Sequence, residues 1–436
     1  MILESHRMKL QDDEPPRDLF VKVLVVLDDV DHKDQFDALV GSRSGEFKRC
    51  EERKKKKQYA MHMSEGSELY PTNAIAELQR KFLIRMNEHG TFEMHDQIRD
   101  MRRNIVQKKK HASRFWENNK TLQMLQPGNG TKKVEAIIFH RHGRQHIPPL
   151  KTTSFRNMEN LRILYTSLVR MEGLYQDLPK SLQFLRWWQC PLKSLPTIDF
   201  DVVNIVVLDL TESIIEEFLG PSVTSSLPQE ANYSRTFSQL KVLILKNCKN
   251  LKSTPHFRLI ANATKLVFEG CAKLGQVHES IGDLDKLVCL NLGDCGSLKN
   301  IPDSICRLSS LEKLVLRSCW SLEELPEEIG RLTSLKVLQL SQGYMQRLPE
   351  SVGLLTNLQE LEISNCADLK TIPDISDLQA LRHLCLSGCS HLIDAPGLSK
   401  LRCLESLALH YCKALRNMND MMKVISLHIY ISISFS

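Results

Sequence analysis

The chain has 436 residues, of which 42% are hydrophobic and 25% are charged, a composition ordinary for a soluble globular protein of two or three domains. Its formal net charge is +6, but residues 41–60 hold eight basic side chains against three acidic ones, so the remainder is nearly neutral and argues against a nucleic-acid-binding face. No stretch approaches the roughly 20 apolar residues of a membrane span, and the first ten residues lack a signal-peptide core.

Residues 21–31 form the first predicted element, an apolar run that ends in acids (Val-Lys-Val-Leu-Val-Val-Leu-Asp-Asp-Val-Asp). Such a run is typical of a strand buried on both faces of a parallel sheet, with carboxylates at its carboxyl end. Phosphate-handling ATPases place a Mg²⁺-binding Asp in this way. The run also suits any α/β strand with a polar end, and taken alone it favours that simpler interpretation.

Residues 75–106 predict a helix, a polar turn, a short strand and a second helix. The apolar positions Ile75, Leu78, Phe82 and Leu83 have helical spacing, and Phe92-Glu93-Met94 is the strand. His95 and Asp96 follow the strand directly. From spacing alone, His95 is better explained as a hydrogen-bonded histidine at a strand–helix boundary.

The second half of the chain is a set of repeats with a period of 23 or 24 residues, which is the signature of a leucine-rich-repeat solenoid with one strand per repeat. Each repeat reads L-x-x-L-x-L-x-x-C or a close variant. The eight clear repeats start at Leu240, Ala263, Leu287, Leu311, Leu335, Leu358, Leu381 and Leu404. Three degenerate repeats precede them, at Leu161, Leu182 and Ile205. Between the strands, an L-P-x-x-I pattern predicts irregular or short helical convex segments.

The alternation within one repeat separates core residues from residues that face a ligand. In the repeat at Leu311, Leu314 and Leu316 point inward at the strand period of two, and the residues between them face the concave side. The core prediction covers Leu314, Leu316, Leu338, Leu340, Leu361 and Ile363. The predicted ligand-facing surface comprises Glu312, Lys313, Val315, Arg317, Gln359, Glu360, Glu362, Arg382 and His383.

Eight of the 13 cysteines stand at the repeat-turn position, so they form a ladder along the solenoid and do not form pairs. They are Cys190, Cys248, Cys271, Cys295, Cys319, Cys366, Cys389 and Cys412. No C-x-x-C spacing occurs, which argues against a structural zinc site. We expect these thiols to be buried, reduced and unpaired, as in an intracellular protein.

These motifs together resemble the plant disease-resistance proteins of the nucleotide-binding (NB-ARC) leucine-rich-repeat family, of the kind often headed by a TIR domain. The strand at 21–31 resembles the family's kinase-2 motif, and Met94-His95-Asp96 resembles its MHD motif. The resemblance implies that Asp28 holds Mg²⁺, that Asp29 lies near the γ-phosphate and that His95 contacts the β-phosphate of ADP. It also implies an ADP/ATP switch and recognition of a protein by the repeats.

The chain departs from the family pattern in its first third. No G-x-x-x-x-G-K-[ST] phosphate-binding loop occurs, and about forty residues separate the two motifs, too few for the missing lobes. The sequence therefore predicts an α/β protein, truncated at its N-terminus, in which a fragmentary P-loop-type module with a helical, winged-helix-like part precedes the solenoid. The boundaries are 1–50 for the NB-ARC fragment, 51–110 for the helical segment with the MHD motif, 111–160 for a connection, 161–423 for the repeats and 424–436 for an irregular tail that suits an edge strand.

Two functions remain open from the sequence. One is an intracellular immune receptor that recognises a pathogen effector or guarded host protein and signals defence, with an impaired nucleotide switch. The alternative is a stand-alone repeat scaffold with an inert nucleotide-binding remnant. In both cases we expect no enzymatic activity and protein partners, with self-association as a further interaction and neither nucleic acid nor membrane as a ligand. The expected location is the cytoplasm, with the nucleus as an alternative because of the basic runs at 53–57 and 108–110.

Overall fold

A computed structural model describes residues 84–86, 92–94, 113–115, 118–139, 149–196, 200, 202–219, 237–416 and 430–432. The chain divides into two compact units, Met1–Arg114 with Lys133–Glu135, and Phe115–Lys132 with Ala136–Ser436. In the first unit, β1 (Ile84–Met86) and β2 (Phe92–Met94) pair antiparallel, with Ile84 opposite Met94. The strand expected at Phe92–Met94 is therefore confirmed, whereas its partner was not predicted.

The second unit is built from short parallel strands that follow one another in chain order within a 14-stranded sheet. A two-residue strand, β3 (Arg114–Phe115), lies at the division between the units, and one helix, α1 (Asn118–Met124), follows it. The remaining strands are β4 (Ala136–Phe139), β5 (Leu150–Lys151), β6 (Ile163–Ser167), β7 (Met171–Glu172), β8 (Phe184–Trp188), β9 (Val207–Asp209), β10 (Val242–Ile244), β11 (Lys265–Val267), β12 (Cys289–Asn291), β13 (Lys313–Arg317), β14 (Val337–Ser341), β15 (Glu360–Ser364), β16 (His383–Cys385), β17 (Ser406–Ala408) and β18 (Tyr430–Ser432). Strands β5 and β7 lie outside the large sheet and pair with each other in parallel.

The strands are in register, so equivalent residues of successive repeats stand side by side. Leu290 pairs with Leu314, which pairs with Leu338, and the row continues through Leu361. The six leucine and isoleucine side chains predicted to form the core are between 0% and 2% exposed. Because one repeat buries its apolar face only against its neighbours, this row is the core of the solenoid.

The return halves of most repeats carry a short 3₁₀ helix, as the L-P-x-x-I pattern predicted, whereas the return segment between β15 and β16 has no such helix. Pro302 and Pro349 stand at the N-caps of two of these helices, where a fixed φ suits the entry into the turn. The 3₁₀ helices span Thr152–Phe155, Tyr175–Asp177, Phe257–Ile260, Glu279–Asp283, Asp303–Arg307, Ile329–Arg331, Glu350–Leu354 and Leu398–Lys400. No helix among the described residues has the length and apolar character needed to cross a membrane.

A left-handed residue ends the strand segment of nearly every repeat, immediately before the ladder position. Its φ is close to +57° in Asn247, Asp294 and Asn365, and the equivalent Gly270 has φ +80°. Asn, Asp and Gly tolerate this conformation best and fill the position in several repeats, while Gln189, Ser318, Gln342 and Tyr411 adopt it in others. The left-handed turn directs the backbone N–H to the next repeat, so Asp294 N donates to Arg317 O at 2.6 Å. This turn was not foreseen from the sequence.

The eight ladder cysteines follow this turn, and all are buried and free, as predicted. Six of the thiols donate to a backbone carbonyl oxygen of the preceding repeat; examples are Cys271 to Leu245 at 3.0 Å, Cys295 to Phe268 at 3.2 Å, and Cys412 to Leu386 at 3.1 Å. The thiol therefore satisfies a buried backbone acceptor at the point where the chain leaves the sheet.

The sheet extends beyond the repeats recognised in the sequence. Strand β4 falls in the segment assigned to a connection, yet it pairs in parallel with β6, with Ile137 opposite Leu164. Both residues are 0% exposed, so β4 contributes to the same core. At the C-terminal end of the sheet, β18 lies in the tail at 424–436 and pairs in parallel with β17. The alternating pattern of the tail favoured an edge strand there.

Candidate protein-recognition surface

The outward face of the parallel sheet carries the side chains that alternate with the buried leucines. We call the outward residues of β12 to β17 the sheet face. In its middle row, Asn291, Val315, Gln339, Glu362 and Cys385 stand next to one another in strand register. Polar and charged groups are thus held on a rigid sheet, in a row set by the strand spacing.

Four side chains of the sheet face form a hydrogen-bonded group that we call the central network: Arg317, Gln339, Glu360 and Glu362. Arg317 Nη2 donates to Gln339 Oε1 at 2.9 Å, and Gln339 Nε2 donates to Glu360 Oε1 at 2.7 Å. Arg317 Nη1 also lies 4.0 Å from Glu362 Oε2. Gln339 is 1% exposed, so its amide links the cation to the carboxylate beneath the surface.

Lys313 lies next to the central network and is half-buried. Burial lowers the pKa of its ammonium to about 8, and the positive charge of Arg317 acts in the same direction, while Glu360 and Glu362 oppose the change. A lysine with this pKa carries a charge that is costly to keep partly desolvated. An acidic group brought to this place would stabilise that charge.

Ion pairs flank the central network along one border of the sheet face. Lys336 Nζ lies 2.6 Å from Glu312 Oε1, and Arg382 Nη1 lies 2.6 Å from Glu405 Oε1. The imidazole Nε2 of His383 is 4.0 Å from the other oxygen of Glu405. These pairs are about half exposed, so they contribute little to stability and remain open to exchange with a ligand.

The structure places the predicted ligand-facing residues on one face but differs at Val315. Val315 is 3% exposed, because Asn291 and Gln339 stand on either side of it in the same row. Val315 therefore packs beneath the exposed side chains of the sheet face and is not available for contact with a ligand. Gln359 is exposed, and its carbonyl oxygen accepts from the backbone N–H groups of Arg382 and His383 at 2.9 and 3.0 Å.

Two residues of this face were missed in the sequence: Gln339, which is buried and orients Arg317 and Glu360 from beneath the surface, and Lys336, whose side chain is partly exposed. Their signal was present, since they occupy in the repeat at Leu335 the positions that Val315 and Glu312 occupy in the repeat before it. The importance of Gln339 comes from its two hydrogen bonds to neighbouring strands, which no single repeat reveals.

A second polar group lies earlier in the sheet, around a buried ion pair. Arg186 Nε is 3.2 Å from Asp209 Oδ2, although the two atoms are not aligned as a hydrogen bond, and the side chains are 6% and 1% exposed. The guanidinium carbon lies 4.8 Å from the ring centroid of Tyr165, and Thr211 Oγ1 donates to Asp209 Oδ1 at 2.6 Å. This arrangement is a structural element of β6, β8 and β9.

The nucleotide-associated residues implied by the family resemblance, Asp28, Asp29 and His95, lie outside the described residues. Within the part of the chain that the structure describes, no group of three or more His, Cys, Asp or Glu side chains is placed to hold a metal ion. The Mg²⁺ role of Asp28 and the ADP contact of His95 therefore stay predictions.

Comparison with known proteins identifies the repeats and their relatives. Residues 314–430 match the family model described as a leucine-rich repeat region. The chain is 29% identical to the disease resistance protein RPS4B of Arabidopsis thaliana over 271 residues, covering 51% of this chain and 23% of that protein. It is 28% identical to the TMV resistance protein N of Nicotiana glutinosa over 248 residues, covering 56% of this chain and 20% of that protein.

Among solved structures, a leucine-rich-repeat protein of Leptospira interrogans covers 70% of this chain and 90% of its own, at 18% identity and a TM-score of 0.42. The chain thus has plant disease-resistance proteins as homologues and contains a leucine-rich repeat region. It spans less than a quarter of the length of the two plant relatives named above.

Proposed function

We propose that this chain is a recognition part of an intracellular plant immune receptor, and that its sheet face binds a pathogen effector or a guarded host protein. The observation that carries the proposal is the central network on a parallel repeat sheet in a chain whose homologues are plant disease-resistance proteins. Binding of this kind leads to defence signalling in the complete receptor. The cytoplasm is its proposed location, with the nucleus as the alternative.

The central network is preorganised for binding. Arg317, Gln339 and Glu360 hold one another in place, so a partner meets charged groups whose side-chain entropy has already been lost. Alternating cations and anions along the face discriminate between partners, because a mismatched charge costs several kcal/mol at a desolvated interface. Lys313 adds a cation that gains most from an acidic partner group.

A nucleotide switch is the weaker part of the proposal. The 436 residues contain no G-x-x-x-x-G-K-[ST] loop, whose backbone N–H groups and lysine bind the phosphates. This observation favours the second candidate function, a protein-binding repeat scaffold in which Asp28, Asp29 and His95 have no nucleotide to bind. Both candidates use the same sheet face.

The test compares two charge-reversed variants of the full chain in extracts of pathogen-challenged leaves. Glu360→Lys/Glu362→Lys alters the sheet face, and Asp303→Lys/Glu350→Lys makes the same change of charge on exposed 3₁₀ residues. We expect quantitative mass spectrometry to recover one partner with the unaltered chain and the 3₁₀ variant, and to lose it with the sheet-face variant. Equal recovery with both variants would count against the sheet face as the recognition surface.

A further inference from the structure

Two aromatic side chains are exposed on adjacent turns at the carboxyl ends of the strands, away from the sheet face. Trp320 follows the ladder residue Cys319, and Tyr344 follows Gly343, which stands at the same position of the next repeat. Their exposed fractions are 48% and 62%. Trp320 and Tyr344 thus occupy the same position in consecutive repeats. Exposed tryptophan and tyrosine are uncommon on a surface with no partner, since these residues are enriched at interfaces.

The backbone beneath Trp320 keeps the indole in place. A methyl group replacing a hydrogen of Gly296 would lie 3.1 Å from Cδ1 of Trp320, so the ring rests on the turn of the preceding repeat. Ser321 Oγ donates to the carbonyl oxygen of Gly296 at 2.7 Å and ties the two turns together. The Cδ1–Nε1 edge of the indole thereby lies against the preceding turn, and the side chain is still half exposed.

The charges on these turns are mainly negative. Asp294, Glu323 and Glu324 are exposed, and none of the three forms an ion pair with another residue of the described chain. Burial raises the pKa of the Cys319 thiol to about 12, and the carboxylate of Asp294 adds to the rise, so this charge acts at the residue next to Trp320. Two cations lie on the same turns: Arg347 pairs with Glu327 at 2.6 Å, and Lys299 offsets one of the three carboxylates.

We propose that this acidic aromatic edge, formed by Asp294, Trp320, Glu323, Glu324 and Tyr344, docks a basic segment of a partner protein, with an arginine side chain stacked on the aromatic rings. The electron-rich face of an indole or phenol ring attracts a cation, and the planar guanidinium stacks better than an ammonium. The carboxylates steer and pair with the remaining basic groups. The same carboxylates repel phosphate-bearing partners, so the charge of the edge favours a basic protein segment.

The edge is distinct from the sheet face, because its residues belong to turns that follow β12, β13 and β14. The acidic aromatic edge is therefore accessible to a partner whether or not the sheet face is occupied.

The test uses a fluorescein-labelled nine-residue peptide of alternating arginine and glycine, titrated with the full chain and followed by fluorescence anisotropy. The Trp320→Ala/Tyr344→Ala variant should bind about tenfold more weakly, equivalent to about 1.4 kcal/mol. Glu323→Gln/Glu324→Gln should weaken binding about threefold. Replacing arginine by lysine in the peptide should also weaken binding to the unaltered chain, since the stacking contact is lost.

Two matched controls keep the result specific. Leu354→Ala removes another large exposed apolar side chain, which is 63% exposed, and Asp303→Asn/Glu350→Asn removes two exposed carboxylates elsewhere. Both should bind the peptide within about 1.5-fold of the unaltered chain. Trp320→Phe keeps an aromatic face and should retain more affinity than Trp320→Ala. Unchanged affinity in the aromatic double variant, or equal losses in the controls, would overturn the proposal.

Discussion

The thiol of Cys319 donates a hydrogen bond of 3.2 Å to the carbonyl oxygen of Leu292, one repeat earlier in the chain. Cys295 makes the same bond to Phe268, and Cys389 makes it to Ile363 at 3.3 Å. The carbonyl oxygen of Phe268 also accepts from the backbone N–H of Cys271 at 3.1 Å, so the thiol of Cys295 is its second donor. The cysteine ladder therefore ties each turn to the turn before it by a buried hydrogen bond.

The first prediction tests that bond. Cys319→Ala removes both the donor and the buried sulfur, so we expect the free energy of unfolding to fall by about 2 kcal/mol. Urea denaturation followed by circular dichroism measures the change. Cys403→Ala is the control, because Cys403 is exposed and its replacement should change stability by less than about 0.5 kcal/mol. Equal effects of the two substitutions would contradict a structural role for the ladder thiol.

The second prediction concerns alkaline pH. Burial raises the pKa of the Cys190 and Cys319 thiols from the ordinary 9.0 to about 12. The unfolded chain releases these protons first, so the stabilisation is complete below pH 9 and is lost as the pH rises toward 12. We expect stability to decline across this window, and to decline less steeply in Cys319→Val than in Cys403→Ala. Parallel slopes for the two variants would show that Cys319 does not titrate with folding.

The third prediction uses two glycines at neighbouring positions of the repeat. Gly343 lacks a positive φ, and a Cβ there would meet no atom closer than 3.8 Å, so Gly343→Ala should raise the free energy of unfolding by about 0.4–1 kcal/mol. At Gly270, φ is +80° and an added Cβ would collide with Oδ1 of Asn247. Gly270→Ala should therefore lower stability by at least about 1 kcal/mol. Chemical denaturation of both variants checks the opposite signs, and a loss at Gly343 would be the contrary outcome.

The fourth prediction contrasts two ion pairs by their burial. Asp209→Ala leaves the buried guanidinium of Arg186 without its carboxylate, and we expect a loss of about 3–5 kcal/mol. Glu405→Ala breaks the 2.6 Å pair with Arg382, but those side chains are 53% and 55% exposed, so the loss should not exceed about 0.5 kcal/mol. Thermal and urea unfolding of the two variants would show the difference. Similar losses in the two variants would mean that burial does not determine how much stability is lost when an ion pair is broken.

The fifth prediction concerns nucleotides. Because the 436 residues contain no G-x-x-x-x-G-K-[ST] loop, we expect Asp28 and Asp29 to repel a polyphosphate that Mg²⁺ does not bridge, and His95 to offer a single contact at most. The dissociation constant for Mg-ADP should be no tighter than about 100 μM, or about −5.5 kcal/mol, with no measurable hydrolysis. Isothermal titration calorimetry on the full chain measures it. Sub-micromolar binding that disappears in His95→Ala would restore the nucleotide switch.

The repeat period, the positions of the buried leucines and the cysteine ladder could be predicted from the sequence alone. Leu314 and Leu338 are buried because alternation along one strand decides which side chains face the core, and Cys319 recurs because each repeat makes the same turn. These are local properties, repeated at a fixed spacing. The short 3₁₀ segments after Pro302 and Pro349 are local in the same sense.

Only the tertiary structure decided which outward residues are available to a partner. Val315 and Gln339 occupy the same outward position in their repeats and both are buried, but Gln339 also holds the partly exposed Arg317 and Glu360 through its two hydrogen bonds. Strand β4 joins the sheet because its apolar residues meet those of β6, without a recognisable repeat of its own. The reason is that burial and pairing on a sheet depend on the neighbouring strands, which stand about 23 residues away in the chain, beyond the reach of any local pattern.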